Sequence, residues 1–231
     1  MNDPAMINSG YERLENDAYY TRDIVCMDAL MWGLSETPLL NEELIVWEPF
    51  AGGGHISNYL QNRGLSVYSS DINPQADGVA KIDYYDKSST HRPQKFDIVI
   101  TNPPFEKKLA EEFVRDMVKR CHDSDGILPK DFTACVLLRN EWDSAGTRLD
   151  IFDSPYFDRK IVIAQRPKWM KVTKDSSSPR HNYSWFVFTN RRMSGGPKIS
   201  HYHPSKDTAN YEKIGRKYKR KYPEAGLEYI Y

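Results

Sequence analysis

Short apolar runs alternate with helix-spaced segments through the first two thirds of this chain, and that rhythm leaves few folds open. Residues 44–48 (Leu-Ile-Val-Trp-Glu), 65–70 (Leu-Ser-Val-Tyr-Ser-Ser), 97–101 (Asp-Ile-Val-Ile-Thr) and 133–138 (Thr-Ala-Cys-Val-Leu-Leu) read as buried strands. A helical pattern over Thr21 to Gly33 has Ile24, Val25, Met27, Leu30 and Met31 as its apolar face. Ile56, Tyr59 and Leu60 mark a second helix stopping at Gly64, and Leu109, Phe113, Met117 and Val118 mark a third. Strands that alternate with helices build a mostly parallel sheet covered on both faces. Late in the chain the rhythm changes. Residues 160–164 and 184–188 are apolar runs joined by a polar loop without helical spacing, which predicts an antiparallel pair or a mobile segment.

At 231 residues the chain has room for one sizeable domain, and 39% hydrophobic residues can supply its core. No apolar run approaches a membrane span. Met1-Asn2-Asp3-Pro4 does not open a secretory signal, so a cytoplasmic location is expected. Cys26, Cys121 and Cys135 are odd in number and far apart, which suits buried free thiols better than disulfides or zinc. His201 and His203 have no acidic or cysteine partner at ligand spacing, and no metal is expected. Net charge is zero, but it is unevenly spread. Between residues 191 and 221 ten basic residues face only Asp207 and Glu212, giving a basic C-terminal surface.

The chemistry concentrates at three strand ends, where open α/β sheets bind ligands. After the first strand comes Glu48-Pro49-Phe50-Ala51-Gly52-Gly53-Gly54, whose glycines permit a tight turn and a close backbone approach. An ordinary strand–helix connection has the same composition. Asp71 ends the next strand and can accept bonds from ribose hydroxyls, or it can cap a helix ahead of Asn73 and Pro74. Asn102-Pro103-Pro104-Phe105 follows the third run. Its prolines lack donors and stiffen the backbone, and Pro103 holds Asn102 out of the helical region. An amide, fixed carbonyls and an aromatic face can together hold a planar group bearing an exocyclic amine.

Taken in order, the three loops resemble those of the class I S-adenosylmethionine-dependent methyltransferases. Among these they are most similar to the amino methyltransferases, and in particular to small phage- or prophage-type DNA N6-adenine methyltransferases. The resemblance covers roughly residues 11 to 190. It implies a Rossmann-like α/β fold with a mostly parallel seven-stranded sheet, a late antiparallel strand and helices on both faces. It implies S-adenosylmethionine as cofactor, held by Glu48, Pro49, Phe50, Ala51, Gly52 and Gly54, by Asp71 with Ile72, by Asp83 with Tyr84, and by Asn102. An N-terminal element, Asp17-Ala18-Tyr19-Tyr20-Thr21, is similar to a family segment that closes over the methionine end of the cofactor, making Tyr20 and Thr21 contacts. This sequence has Arg22 where that segment usually has proline, and a polar arm packed on the first helix would look the same.

The resemblance further implies that Asn102, Pro103, Pro104 and Phe105 form the catalytic tetrad. The expected organisation is an arm over 1–22, a methyltransferase domain over 23–190 and a basic extension over 191–231. The expected partner is DNA, most simply double-stranded, of a bacterial or phage-infected cell, as in restriction-modification. Arg139, Lys168, Lys171, Lys174, Arg180, Arg216, Lys217 and Arg220 are expected to meet its backbone. A solvated charged face is the plainer account of such residues. Asn140 and Trp142 are expected beside or beneath the acceptor cleft, Trp185 in the core and His181 in a loop or near the DNA. Three other functions share parts of this pattern: guanine-N2 methylation of RNA, glutamine methylation of protein, and nucleic-acid binding by a degenerate enzyme fold.

Overall fold

The computed structural model describes residues 21, 24–35, 37–39, 43–93, 95–105, 108–123, 131–167, 181–191 and 196–204. They form one sheet of eight strands, β1 (Ile45–Glu48), β2 (Ser66–Asp71), β3 (Ala80–Lys81), β4 (Ile98–Thr101), β5 (Thr133–Arg139), β6 (Phe157–Ile163), β7 (Tyr183–Thr189) and β8 (Lys198–Tyr202). Four helices accompany it, α1 (Ile24–Leu34), α2 (His55–Gln61), α3 (Leu109–His122) and α4 (Leu149–Phe152), with two short 3-10 turns over 140–148. The strand order is β3-β2-β1-β4-β5-β7-β6-β8. β7 runs antiparallel to both neighbours and every other pairing is parallel. This is the expected Rossmann-like arrangement, with eight strands where seven were expected. β8 supplies the extra one, so the sheet continues beyond residue 190.

Side-chain alternation divides the core into two layers. Val46, Ile98, Ile100, Cys135, Leu137, Ile161, Trp185 and Val187 face α1 and α2. Trp47, Val99, Ala134, Val136, Leu138, Phe186 and Phe188 face α3 and the 140–152 segment. All three cysteines are buried, and none of them is in a disulfide. Trp185 is core, and its indole Nε1 donates to the Cys26 carbonyl at 2.6 Å, pinning α1 to β7. Arg159 pins the other end of α1 by donating from Nη1 to the Gly33 carbonyl at 2.8 Å. At Gly33 helix and sheet pack closely. A Cβ there would lie 2.3 Å from Ile161 Cδ1.

β6 begins three residues before the expected run. Asp158 and Arg159 pair with each other, and Lys160 Nζ donates to Asp143 Oδ2 and to the Asn140 carbonyl, each at 2.7 Å. Buried charges that pair in this way can occupy a strand interior. On the same layer as Lys160, Glu111 of α3 bonds both Arg115 and Arg148, and Arg115 reaches Asp150 at 2.6 Å. These contacts hold the segment after β5 against α3. Among the described residues, no helix is long and apolar enough to cross a membrane.

Candidate active site

The strand order reverses between β1 and β4. Chains leaving their carboxyl ends therefore turn to opposite faces and leave a crevice between them. β1 leads to α2 on one face and β4 leads to α3 on the other. All three chemically loaded loops open on this crevice or on the neighbouring end of β2.

The glycine loop is held by the strand beside it. Ala51 N–H donates to the Ser70 carbonyl at 2.9 Å, and Gln75 N–H donates to the Gly52 carbonyl at 2.9 Å. Gly52 and Gly54 have φ of 49° and 70°, in the left-handed region that glycine enters without a Cβ penalty. Gly54 caps α2 from that conformation. Asp71 does not cap a helix, since residues 72–79 contain none. Its Oδ2 accepts from Gly52 N–H at 2.7 Å and its Oδ1 from Asn73 N–H at 2.8 Å. The carboxylate expected at the ribose thus also ties the ends of β1 and β2 together. Ile72 follows it with 55% of its surface exposed, an apolar side chain presented at a strand end. Ile82 N–H donates to the Asp71 carbonyl at 2.9 Å, which brings Asp83 alongside. Asp83 Oδ1 accepts from Tyr85 N–H at 2.8 Å.

Two residues expected on the cofactor are turned elsewhere. Glu48 is 1% exposed, and its Oε2 accepts from Ser57 N–H at 2.8 Å and from the Ser57 hydroxyl. Ser69 donates in turn to Ser57 Oγ at 2.6 Å. Glu48 therefore closes the first turn of α2 from within, supporting the loop from beneath. Burial pushes its carboxyl up from the ordinary 4.5 to about 8, against the bonds from Ser57 that pull it down, and the nearby Asp71 adds to the rise. Tyr84 is a core residue. Only 2% exposed, its ring packs on Trp47, Phe50 and Phe113, and its hydroxyl donates to Asp116 Oδ2. Pro49 and Ala51 are buried in the loop, and Phe50 is half-buried against the α3 layer.

Asn102 stands at the mouth of the crevice, directly after β4. Its Nδ2 donates to Thr21 Oγ1 at 3.2 Å. Pro103 is buried, and Pro104 and Phe105 are partly so. Phe105 touches both core layers, with its ring 5.7 Å from that of Tyr183 and tilted by 52°. The loop re-enters α3 through Lys108, a non-glycine residue at φ 73°. Such a conformation costs of order 1 kcal/mol and persists where the surroundings require it.

The described residues form a Rossmann-like, doubly wound sheet with one late antiparallel strand. A Listeria monocytogenes protein assigned to the class I S-adenosylmethionine-dependent methyltransferases superposes with a TM-score of 0.48 at 10% identity, covering 83% of this chain and 69% of its own. The methyltransferase subunit of a Streptococcus thermophilus type I restriction-modification system gives 0.47 at 15% identity, covering 91% of this chain and 53% of its own. A precorrin-6y C5,15-methyltransferase from Geobacter metallireducens gives 0.47 at 14% identity, covering 79% and 94%. This chain thus spans about half the length of the restriction-modification subunit. No family model matches the sequence, and no curated protein does.

Arg139 is exposed at the end of β5, facing Tyr183 across the β5–β7 ladder and so close to Phe105. Asn140 is held by three bonds. Its N–H donates to the Asn182 carbonyl at 2.9 Å, its carbonyl accepts from Lys160, and its Oδ1 accepts from Ser184 at 2.7 Å. Trp142 packs beneath the cleft against Phe152 and Phe186. His181 is exposed before β7. Tyr20, Lys168, Lys171, Lys174, Arg180, Arg216, Lys217 and Arg220 lie outside the described residues. The sequence reading missed Tyr183 as the ring beneath Phe105 and Ser57 as the partner of Glu48. Tyr183 heads an apolar strand and looks like any core residue. Ser57 stands three positions after Gly54, near the spacing of a helix cap, which was the available signal.

Proposed function

We propose that this chain transfers a methyl group from S-adenosylmethionine to the N6 amine of adenine in DNA. The target base would be flipped out of the duplex, because a stacked base cannot enter a crevice between strand ends. The observation that carries the proposal is the Asn102 amide, fixed at the switch point of the sheet beside the glycine and Asp71 loops. The adenine choice and the DNA choice rest on the sequence likeness of the tetrad and on the basic C-terminal segment. The setting would be the cytoplasm of a bacterial or phage-infected cell.

The residues present suit the cofactor. Gly52 and Gly54 turn the loop through the left-handed region, where a side chain would be strained, so the backbone after β1 can present itself to a ligand. Asp71 offers a carboxylate to hydroxyl donors, Ile72 an apolar surface to a purine face, and Asp83 an acceptor to a purine amine. When bound, S-adenosylmethionine supplies an electrophilic methyl group.

The chain's own part is positioning. The lone pair of an aromatic exocyclic amine is delocalised into its ring, so the nitrogen is a poor nucleophile. Asn102 Oδ1 and the Pro103 carbonyl accept its two hydrogens and draw it toward tetrahedral geometry, which frees the lone pair. Phe105, braced by Tyr183, stacks on the base, worth ~1–3 kcal/mol. Orientation of this kind supplies much of a rate enhancement. Once methylated, the nitrogen is cationic and its proton passes to solvent, so no strong base is required. Arg139 contributes positive charge at the cleft rim for phosphate.

Asn102→Ala is the test of the acceptor loop. It should abolish methyl transfer while leaving S-adenosylmethionine affinity within about threefold, as expected when an interaction made only in the transition state is removed. Retention of full activity would refute this role for the tetrad.

A further inference from the structure

Glu48 is a carboxyl group buried among neutral donors. It is the last residue of β1, one peptide before the loop that opens on the crevice, and only 1% of it is exposed. From α2 the Ser57 N–H and hydroxyl donate to it, and Ser69 of β2 supports that hydroxyl. Among the described residues the charged group that acts on it is Asp71 at the end of β2, and that charge has the same sign. A buried carboxylate facing a like charge is costly, so the group keeps its proton. A glutamine would make the same bonds to Ser57 without titrating. What the acid adds is a negative charge that can be created beside the cofactor loop when a cation arrives.

We propose that Glu48 is a specificity-determining residue that distinguishes S-adenosylmethionine from its product, S-adenosylhomocysteine, by charge. The inference rests on the cofactor and not on the identity of the acceptor. S-adenosylmethionine carries an ammonium, a sulfonium and a carboxylate, and so one net positive charge. Transfer of the methyl group removes the sulfonium charge and leaves the product neutral overall. Positive charge in the crevice favours ionised Glu48, whose proton passes to solvent. With the product in place the proton returns from solvent and the carboxyl loses its attraction for the ligand. Ser57 suits both states, since its N–H and hydroxyl stabilise the carboxylate and its hydroxyl can turn to accept from the neutral acid. Asp71, fixed by Gly52 N–H at 2.7 Å, keeps a second carboxylate near, so the two are ionised together only when a cation offsets them.

The test is calorimetry of ligand binding at pH 7 in two buffers of different ionisation enthalpy, which counts the protons exchanged with solvent. Free Glu48 titrates near pH 8. An opposite charge that lowers this by about one pH unit makes binding release about 0.4 of a proton at pH 7 and tighten about 2.5-fold per pH unit. Below about pH 6 the group is protonated with or without cofactor, and above about pH 9 it is ionised in both, so the dependence is confined to that window. Glu48→Gln should release about 0.4 of a proton less, because titration of Asp71 and of the cofactor's own amine is common to both proteins and cancels. S-adenosylhomocysteine should release little from the wild type through Glu48. Equal proton counts in the wild type and Glu48→Gln, or equal Glu48-dependent counts for the two ligands, would overturn the inference. Infrared difference spectra of the wild type give a second reading that needs no variant. The carbonyl band of a protonated carboxyl should weaken when S-adenosylmethionine is added at pH 7 and persist with S-adenosylhomocysteine, and a band unchanged by both refutes the proposal. No acceptor enters either measurement, so a chain that fails to methylate DNA leaves both decisive, whereas a chain that binds no S-adenosylmethionine overturns the inference.

Discussion

Glu48→Gln should remove a pH dependence of stability that the buried carboxyl imposes on the wild type. Glutamine keeps an oxygen for the Ser57 N–H and hydroxyl but cannot ionise. In the folded wild type the carboxyl titrates near pH 8, whereas in the unfolded chain it returns to about 4.5. Between those values the folded state holds a proton that the unfolded state has lost, so stability falls as pH rises. The loss runs at about 1.4 kcal/mol per pH unit, and the full span is equivalent to roughly 5 kcal/mol. Below pH 4.5 the carboxyl imposes no penalty, and above pH 8 the penalty is complete. Urea unfolding of both proteins at pH 5, 6, 7 and 8 measures it, since titration of the remaining groups cancels in the difference. The gap between the two should move steadily in favour of Glu48→Gln as pH rises, as a shift of midpoint at constant m. Parallel stability curves across this range would show that Glu48 is ionised in the folded state and would refute the argument. The effect bears on function because Glu48 closes the turn that carries Gly52 and Gly54.

Asp71→Ala should lower S-adenosylmethionine affinity at least about tenfold by calorimetry and cost about 1–2 kcal/mol of stability, because the Gly52 and Asn73 N–H groups lose their acceptor. Lys160→Met should cost about 3 kcal/mol or more in urea unfolding by stranding Asp143, and adding Asp143→Leu should return most of it. Gly33→Ala should destabilise by about 1–3 kcal/mol through overpacking against Ile161, despite the better helix propensity of alanine. Adding Ile161→Val should recover part of that loss.

The central strands were legible because each is an unbroken apolar run buried on both faces, from Val46-Trp47 to Val136-Leu137. β8 was hidden because Lys198-Ile199-Ser200-His201-Tyr202 is a polar edge strand, recognisable only by its pairing with β6. The two-residue β3 is too short to carry a pattern. The start of β6 was misplaced because Asp158 and Arg159 look like solvent residues until their partners are known. At the site, motif order located all three loops, but motif membership could not say which way a side chain turns. Glu48 and Tyr84 point inward because Ser57 and Asp116, 9 and 32 residues away, satisfy them there. The same limit hid the contact of Thr21 with Asn102, 81 residues apart in sequence.

The central claim is methyl transfer to an aromatic amine held by Asn102. Its most direct test is incubation of the purified chain with methyl-labelled S-adenosylmethionine and duplex DNA, RNA or protein, followed by digestion and identification of the labelled product. The account predicts label in DNA as N6-methyladenine, absent with Asn102→Ala. Label found only on guanine, only on protein, or on no acceptor at all would contradict it.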